Sequence, residues 1–357
     1  MATHDIALIH NPRNITHAMP FPGPHLESFE RPLRTQMAMR YLKSSGTLDG
    51  FQIEKTPKAK LEDLLLVHSP YLINSIEIAS DIGSGQLGEA AYASPELLRA
   101  SLYAAGGVKR GVTGVLTGEV THAFALVRPP GHHASTSNPM GLCYFNNVAI
   151  GTAIALQDKD VKRVSILDFD DHHGNGTSEI FYANPDVQFI SIHEYDYENY
   201  GTGHFMEMGW KDAIGTNVNI PLLENSPDRS YEDALEKIVS VAMKSFKPDI
   251  IMVSAGYDAH YGDPVGNMNI DTRTFWRIGS FVREMVTSLG ARGSVWALEG
   301  GYNPFMLGPS IRASLDGLAG RPIPDLDDQI EREEYTSILE SNGEIIAKVR
   351  QAFKEHW

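Results

Sequence analysis

A single cysteine, Cys143, occurs in 357 residues. That scarcity rules out an intrachain disulfide and a cysteine-based zinc cluster, and it fits a reducing, cytoplasmic compartment. The chain has no run of 18 apolar residues and no basic-then-apolar leader pattern, so neither a membrane helix nor a secretory signal is expected. Positive charge is scarce: 30 Lys and Arg stand against 45 Asp and Glu, a net −15. So acidic a chain is a poor nonspecific partner for nucleic acid and a suitable host for cationic substrates. There is no P-loop. Gly83-Ser-Gly-Gln-Leu-Gly88 matches the dinucleotide G-x-G-x-x-G by letters only, because it follows a helix-like run where that motif needs a strand. Internal repeats and low-complexity linkers are also missing, so residues 1–357 read as one domain.

Short apolar blocks alternate with helix-like runs. The blocks Ile6–Ile9, Ala123–Val127, Val164–Leu167, Gln188–Ile192, Asn217–Ile220, Ile250–Val253 and Val295–Leu298 read as strands. Helices are expected over Arg34–Leu42, Pro70–Ala79, Pro95–Thr113, Asn146–Gln157, Tyr231–Phe246, Thr272–Leu289 and Glu331–Lys354. Strand alternating with helix predicts an α/β fold, a mostly parallel central sheet flanked by helices on both faces. Asn11–Glu30, rich in Pro, His and Gly, reads as a long loop.

Ligands of an open parallel sheet bind outside the carboxyl ends of its strands. Five of these strands are followed by polar chemistry: Arg128-Pro-Pro-Gly-His-His-Ala134, Asp168-Phe-Asp-Asp-His-His173, His193-Glu-Tyr195, Ser254-Ala-Gly-Tyr-Asp258 and Glu299-Gly-Gly-Tyr-Asn303. Asp168, Asp170 and His172 alternate, so they point one way along an extended chain. Asp170, His172 and Asp258 form a three-ligand set for a catalytic divalent ion: zinc, with iron(II), cobalt or manganese as other occupants of this harder donor set. Asp168 would orient a histidine beside them. His132 and His133 are candidate proton handlers whose different partners can drive their titrations apart. Tyr302 can donate its hydroxyl to a developing oxyanion. Together these groups describe metal-assisted hydrolysis of an amide or ester. Each fragment alone has a plainer reading. A His-His pair is often a cap or surface feature, and Asp-x-Asp-x-His also suits a calcium or structural site. The argument lies in their recurrence after separate strands.

The segments Arg128–Ala134, Gly141-Leu-Cys-Tyr-Phe-Asn-Asn147, Asp168–Thr177, Ala255–Ala259, Gly262-Asp-Pro264 and Leu298–Asn303 closely resemble, in order and spacing, the histone deacetylase superfamily. The likeness is to its class II branch and to bacterial and archaeal relatives that include acetylpolyamine amidohydrolases. The resemblance implies the arginase–deacetylase fold and zinc on Asp170, His172 and Asp258. It implies His133 as general base, His132 as its charged partner paired with Asp168, Asn175 against His133, and Tyr302 on the acyl oxygen. It also implies a structural potassium at Asp168, Asp170, His172, Ser191 and Ile192, with a peripheral one near Phe181 and Val187. The substrate would be an acylated lysine peptide or an acetylated polyamine or other small amine, with no role for nucleic acid or membrane.

Departures from the family pattern bear on that substrate. Leu142 follows Gly141 where the family usually has Phe, and the opposite wall is a shortened Glu198-Asn-Tyr-Gly-Thr-Gly203, with Tyr200 as the expected wall residue and Tyr197 in reserve. Loss of an aromatic sandwich weakens stacking on an aliphatic linker by ~1 kcal/mol and leaves room for other acyl groups. Asp171 replaces an apolar residue between two ligands and should face away from them. His260 is expected to line the rim, although the same position in arginase-like relatives holds a second metal. Val265 stands where a polyamine-specific relative carries glutamate. A homo-oligomer is compatible with the long N-terminal loop, which could cap a neighbour's pocket. A dinuclear arginase-like ureohydrolase and a non-catalytic binder of acylated ligands are the competing readings.

Overall fold

The computed structural model describes residues 5–10, 16–19, 28–199, 201–326 and 335–357. In chain order the elements are β1 (Ile6–Ile9), α1 (Leu33–Ser44), β2 (Gln52–Glu54), α2 (Leu61–Leu64), α3 (Pro70–Ile82), β3 (Gly85–Gly88), β4 (Ala91–Ala93), α4 (Leu97–Leu116), β5 (His122–Ala125), α5 (Asn147–Ala155), β6 (Val164–Asp168), α6 (Asn175–Phe181), β7 (Val187–Glu194) and β8 (Asn217–Leu222). Then come α7 (Asp228–Ala234), a π-helical turn over Leu235–Val239, α8 (Ser240–Phe246), β9 (Ile250–Ala255), α9 (Thr272–Leu289), β10 (Ser294–Leu298), α10 (Leu307–Leu318) and α11 (Thr336–Ala352).

Eight strands form one sheet in the order β2-β1-β5-β10-β9-β6-β7-β8, and every pairing in it is parallel. Both faces are covered, which explains why the strands read as apolar blocks. Along β1 the side chains alternate between two cores: Ile6 and Leu8 join the one that takes in α7–α11, Ala7 and Ile9 the one that takes in α3–α5. Local chemistry sets the helix ends. Ser69 accepts the Leu72 N–H and Pro70 opens α3, while Gly83 closes it at φ 81°. Asp271 and Gly290 bound α9 in the same way.

All seven expected strands form. The helix expected over Tyr231–Phe246 is interrupted by the π-helical turn and starts earlier, at Asp228. The start expected for the last helix, Glu331, lies outside the described residues. β2, α10 and the antiparallel β3–β4 hairpin carry no expectation from sequence. The Gly83–Gly88 segment runs into that hairpin and not into a helix, so it forms no dinucleotide turn. No helix among the described residues is long and apolar enough to cross a membrane.

The topology creates the crevice. After β5 the chain leaves to lay down β6, β7 and β8, then returns to insert β9 and β10 between β5 and β6. The strands β5, β10, β9 and β6 are therefore consecutive in the sheet, and the residues that follow them face one another.

Candidate active site

Beyond β6 the chain presents Asp170 and His172, and beyond β9 it presents Asp258. The donor atoms of these three lie within 4.8 Å of one another. His172 Nδ1 sits 3.2 Å from Asp170 Oδ1 and 3.3 Å from Asp258 Oδ2. Burial works against charge on this imidazole, yet the two carboxylates hold its pKa well above the usual range. The Asp170 carboxyl is held well below its ordinary value against its own burial, first by His132 and then by His172. Asp258 Oδ2 is buried and has no hydrogen-bond partner of acceptable geometry, the His172 contact included. A buried carboxylate oxygen with a free lone pair is costly unless a cation completes it.

Glycines make the cradle possible. A Cβ at residue 256 would lie 2.1 Å from Asp170 Oδ2, and one at residue 300 would lie 2.0 Å from Asp258 Oδ2. The residues present therefore fit a small divalent ion. A second cluster, His132, Cys143 and Glu299, is already committed: Glu299 Oε2 accepts the Gly131 and His132 N–H groups, and His132 Nδ1 faces Asp168.

The histidine pair follows β5. Their ring centroids are 4.0 Å apart. His132 Nδ1 meets Asp168 Oδ2 at 3.0 Å, and its Nε2 is 3.8 Å from Asp170 Oδ1. Burial lowers its pKa, but Asp170 and Asp168 lift it to about 10. His133 Nδ1 meets the neutral Asn175 Oδ1 at 2.6 Å. Burial, and then the positive charges of His132 and His172, push the His133 pKa well below its ordinary value. The pKa values of the two adjacent imidazoles are thus driven in opposite directions.

A cavity of about 200 Å³ opens over these groups. His132, His133, Asp170, His172 and Tyr302 line it together with Met140, Gly141, Leu142 and Val265, and the exposed Glu89 contributes an acid. Gly141 lies against the His133 ring, where a Cβ would come within 2.4 Å of Cδ2. Leu142 adopts a left-handed backbone, φ 67°, rare for a side chain of its size. The hairpin turn holds it there: the Gly141 and Leu142 N–H groups donate to the Glu89 and Ala90 carbonyls at 2.9 and 2.8 Å. Larger clefts near Asp5 and Thr121, and beside Arg40, lack any such cluster.

Several expectations need correction. His260 does not line the rim. It is 1% exposed, its Nδ1 accepts the Gly262 N–H at 3.0 Å, and its ring stacks on Tyr261. The bridge between His260 and Ile270 pulls the residue into the core. The end of β7 adds nothing to the pocket, because His193 is buried between Ser191 Oγ and the Gly203 carbonyl. Tyr200 lies outside the described residues. Tyr197 donates to the Pro221 carbonyl and is not part of the pocket lining. Asp171 turns from the ligands, as expected, and accepts the Asn267 and Met268 N–H groups. Ser191 pairs in register with Asp168, and Phe181 and Val187 are buried at the adjoining ends of α6 and β7.

Other supports carried no expectation. Glu299 braces the Gly131–His132 backbone, and burial raises its pKa to about 7. Arg34 stacks over Tyr302 at 4.5 Å and donates to the Gly301 and Glu299 carbonyls. Glu30 pairs with both Arg34 and Arg128, all three buried. Asn146 caps α5 and ties the histidine loop to Thr177.

Comparison with known proteins adds the following. The model of the histone deacetylase domain matches residues 28–318. A probable deacetylase of Methanothermobacter thermautotrophicus is 37% identical over 316 residues, 88% of this chain and 91% of that protein. A histone deacetylase-like amidohydrolase of Pseudomonas aeruginosa is 33% identical over 314 residues, 87% and 82% of the two chains. The chloroplastic histone deacetylase 10 of Oryza sativa is 38% identical over 76% of this chain, and the match spans 63% of the rice protein's length. The crystal structure of the HDA15 HD domain superposes with a TM-score of 0.88 at 30% identity, covering 100% of this chain and 96% of that one.

Proposed function

The chain belongs to the histone deacetylase family and has its arginase–deacetylase fold, and from that premise we propose a zinc-dependent amidohydrolase that removes acetyl or other short acyl groups. One observation carries the reading: Asp258 Oδ2, buried without a hydrogen bond, clusters with Asp170 and His172, and those two line a cavity together with two histidines of opposite charge preference and a tyrosine.

Asp170, His172 and Asp258 would hold the ion. A divalent Lewis acid there supplies acidified water and polarisation of the acyl oxygen, and iron(II) would serve the same chemistry. His133, kept neutral by burial and by the charge beside it, takes the proton of the attacking water. Asn175 fixes its ring. His132, kept charged by Asp168 and Asp170, stabilises negative charge as it develops, and Tyr302 donates its hydroxyl to the acyl oxygen. His133 then returns its proton to the leaving amine. Potassium near Asp168, Asp170, His172, Ser191 and Ile192 would offset buried carboxylate charge.

Met140, Leu142 and Val265 make aliphatic walls suited to a methylene chain, and Glu89 and the net acidity suit a cationic amine. Acyl-lysine peptides and acetylated polyamines share the methylene chain, and the polyamine also keeps free cationic amines. The single buried thiol, Cys143, agrees with a cytoplasmic setting.

The test is a turnover assay on acyl-lysines and acetylpolyamines, with bound metal counted on the same sample. Release of acetate with one ion per chain is expected. Two ions with urea-forming activity would favour the ureohydrolase. Tight acyl-ligand binding without turnover would favour a binder.

A further inference from the structure

Asp263, in the Gly262-Asp-Pro264 motif, has no part in the chemistry described so far, yet its carboxylate spans two segments of the site. Oδ2 accepts the Tyr302 N–H at 2.6 Å and the Asn303 N–H at 3.0 Å, while Oδ1 accepts the Val265 N–H at 3.0 Å. Asn303 Nδ2 donates in return to the Gly262 carbonyl at 2.7 Å. The far end of the same loop is fastened by Asp171, which accepts the Asn267 and Met268 N–H groups at 3.3 and 3.2 Å. The Asp171 N–H itself donates to Asp258 Oδ1 at 3.0 Å. A continuous run of bonds therefore leads from Asp258, through Asp171 and the loop, to Asp263 and the backbone of Tyr302.

We propose that Asp263 is a positioning residue for Tyr302: its carboxylate pins the Tyr302–Asn303 backbone to the loop carrying Val265 and so fixes where the tyrosine hydroxyl stands over the Asp170–His172–Asp258 cluster. The proposal rests on the reading of Tyr302 as the acyl-oxygen donor. The need for such a pin follows from the sequence. Tyr302 comes after Gly300 and Gly301, and Gly301 has φ 106°, so the turn has little side-chain restraint of its own. Arg34 packs on the ring and holds the Gly301 and Glu299 carbonyls, but it leaves the Tyr302 and Asn303 N–H groups to another partner. One oxygen of the half-buried carboxylate takes both, and a carboxyl oxygen shared by two backbone N–H groups is a directional anchor.

The experiment compares Asp263→Ala, Asp263→Asn, Tyr302→Phe and the Asp263→Ala/Tyr302→Phe double variant, each checked for metal content and thermal midpoint. Asp263→Ala should lower kcat about 10²-fold, as a displacement near 1 Å does, with KM changed less than about threefold. Asp263→Asn keeps an amide oxygen for the two turn N–H groups and should recover most of that loss; it carries the test if the alanine variant does not fold. The double variant should be no slower than Tyr302→Phe, because both changes act on one donor. Independently of turnover, hydrogen exchange of the peptide spanning residues 300–303 should accelerate in Asp263→Ala and stay unchanged in Tyr302→Phe. Losses that multiply in the double variant, or unaltered exchange in Asp263→Ala, would overturn the positioning role while leaving Tyr302 as donor. Wild-type turnover in Tyr302→Phe would overturn the donor reading, and the proposal with it.

Discussion

Gly300→Ala is a one-carbon test of the metal cradle. The added Cβ would lie 2.0 Å from Asp258 Oδ2 and 2.6 Å from Asp170 Oδ2, where real Cβ contacts do not fall below 3.0 Å. The Asp258 oxygen must then retreat by about 1 Å, several times the ~0.2 Å tolerance of a metal–ligand distance. Neither oxygen can yield cheaply: Asp170 Oδ2 accepts the Gly300 N–H at 2.8 Å, and Asp258 Oδ1 is tied to the Asp171 N–H at 3.0 Å. Gly300 is not in the left-handed region, so alanine adds no backbone strain and the effect is purely steric. Zinc affinity should fall at least about 10²-fold, beyond what loss of a supporting hydrogen bond brings. Competition against a chromophoric chelator measures this, and a melt of the chelator-treated protein shows that the fold persists. Gly300→Ala that still binds one ion with wild-type affinity would refute the assignment of Asp170 and Asp258 as ligands.

Three further outcomes are expected. Asn175→Asp places a carboxylate where His133 Nδ1 now meets a neutral amide at 2.6 Å, so the His133 pKa rises and the acid limb of the kcat/KM profile moves up by about 1–2 pH units; an unmoved limb would show that His133 is not the base. His68 donates from Nδ1 to the Ser135 carbonyl and accepts the Asn146 N–H on Nε2, and burial lowers its pKa to about 4. The unfolded chain takes up that proton first as pH falls below 6.5, so the His68 contribution is present above that value and is lost toward pH 4. The stability deficit of His68→Gln, from urea melts, should therefore shrink by about 1.4 kcal/mol between pH 7.5 and 5.5; a constant deficit would contradict the buried neutral ring. Glu30→Gln leaves Arg34 and Arg128 buried without their carboxylate and should cost about 3–5 kcal/mol in the same assay, and a cost under about 1 kcal/mol would make the triad incidental.

The residues that announce themselves in the sequence are those where chemistry and periodicity coincide. Val164–Leu167 is apolar and β-branched enough to be a covered strand, and the Asp and His residues directly after it have no other economical explanation. Supporting residues leave no such trace. Glu30 meets Arg128 across 98 positions, and Arg34 reaches the Glu299 carbonyl across 265. A lone acid or base in a loop looks like surface until the fold brings its partner. α10 escaped for a related reason: Leu307–Leu318 contains Gly308, Pro309 and Gly317, poor helix formers that are buried here. Gly317 is needed as glycine, since a Cβ would strike the Trp276 carbonyl of α9 at 2.2 Å. His260 was misplaced because position along the chain does not tell which side of a loop packs inward.

The strand order explains why a chain of this composition carries a concentrated charge site without unfolding around it. Inserting β10 and β9 between β5 and β6 brings four carboxylates, Asp168, Asp170, Asp258 and Glu299, into one buried volume. Burial first, and the like charges beside them second, push the Asp258 and Glu299 carboxyls above their ordinary pKa range. Backbone N–H groups quench part of the charge: Gly131 and His132 on Glu299, Gly300 on Asp170, Asp171 on Asp258. His132, whose pKa Asp170 and Asp168 lift to about 10, offers positive charge against Asp168. One oxygen, Asp258 Oδ2, is left without a hydrogen bond by this scheme, and it clusters with Asp170 and His172, which line the cavity beside His133. Buried carboxylates next to an imidazole whose pKa is pushed down are the arrangement that the proposed cation, with a base beside it, would call for.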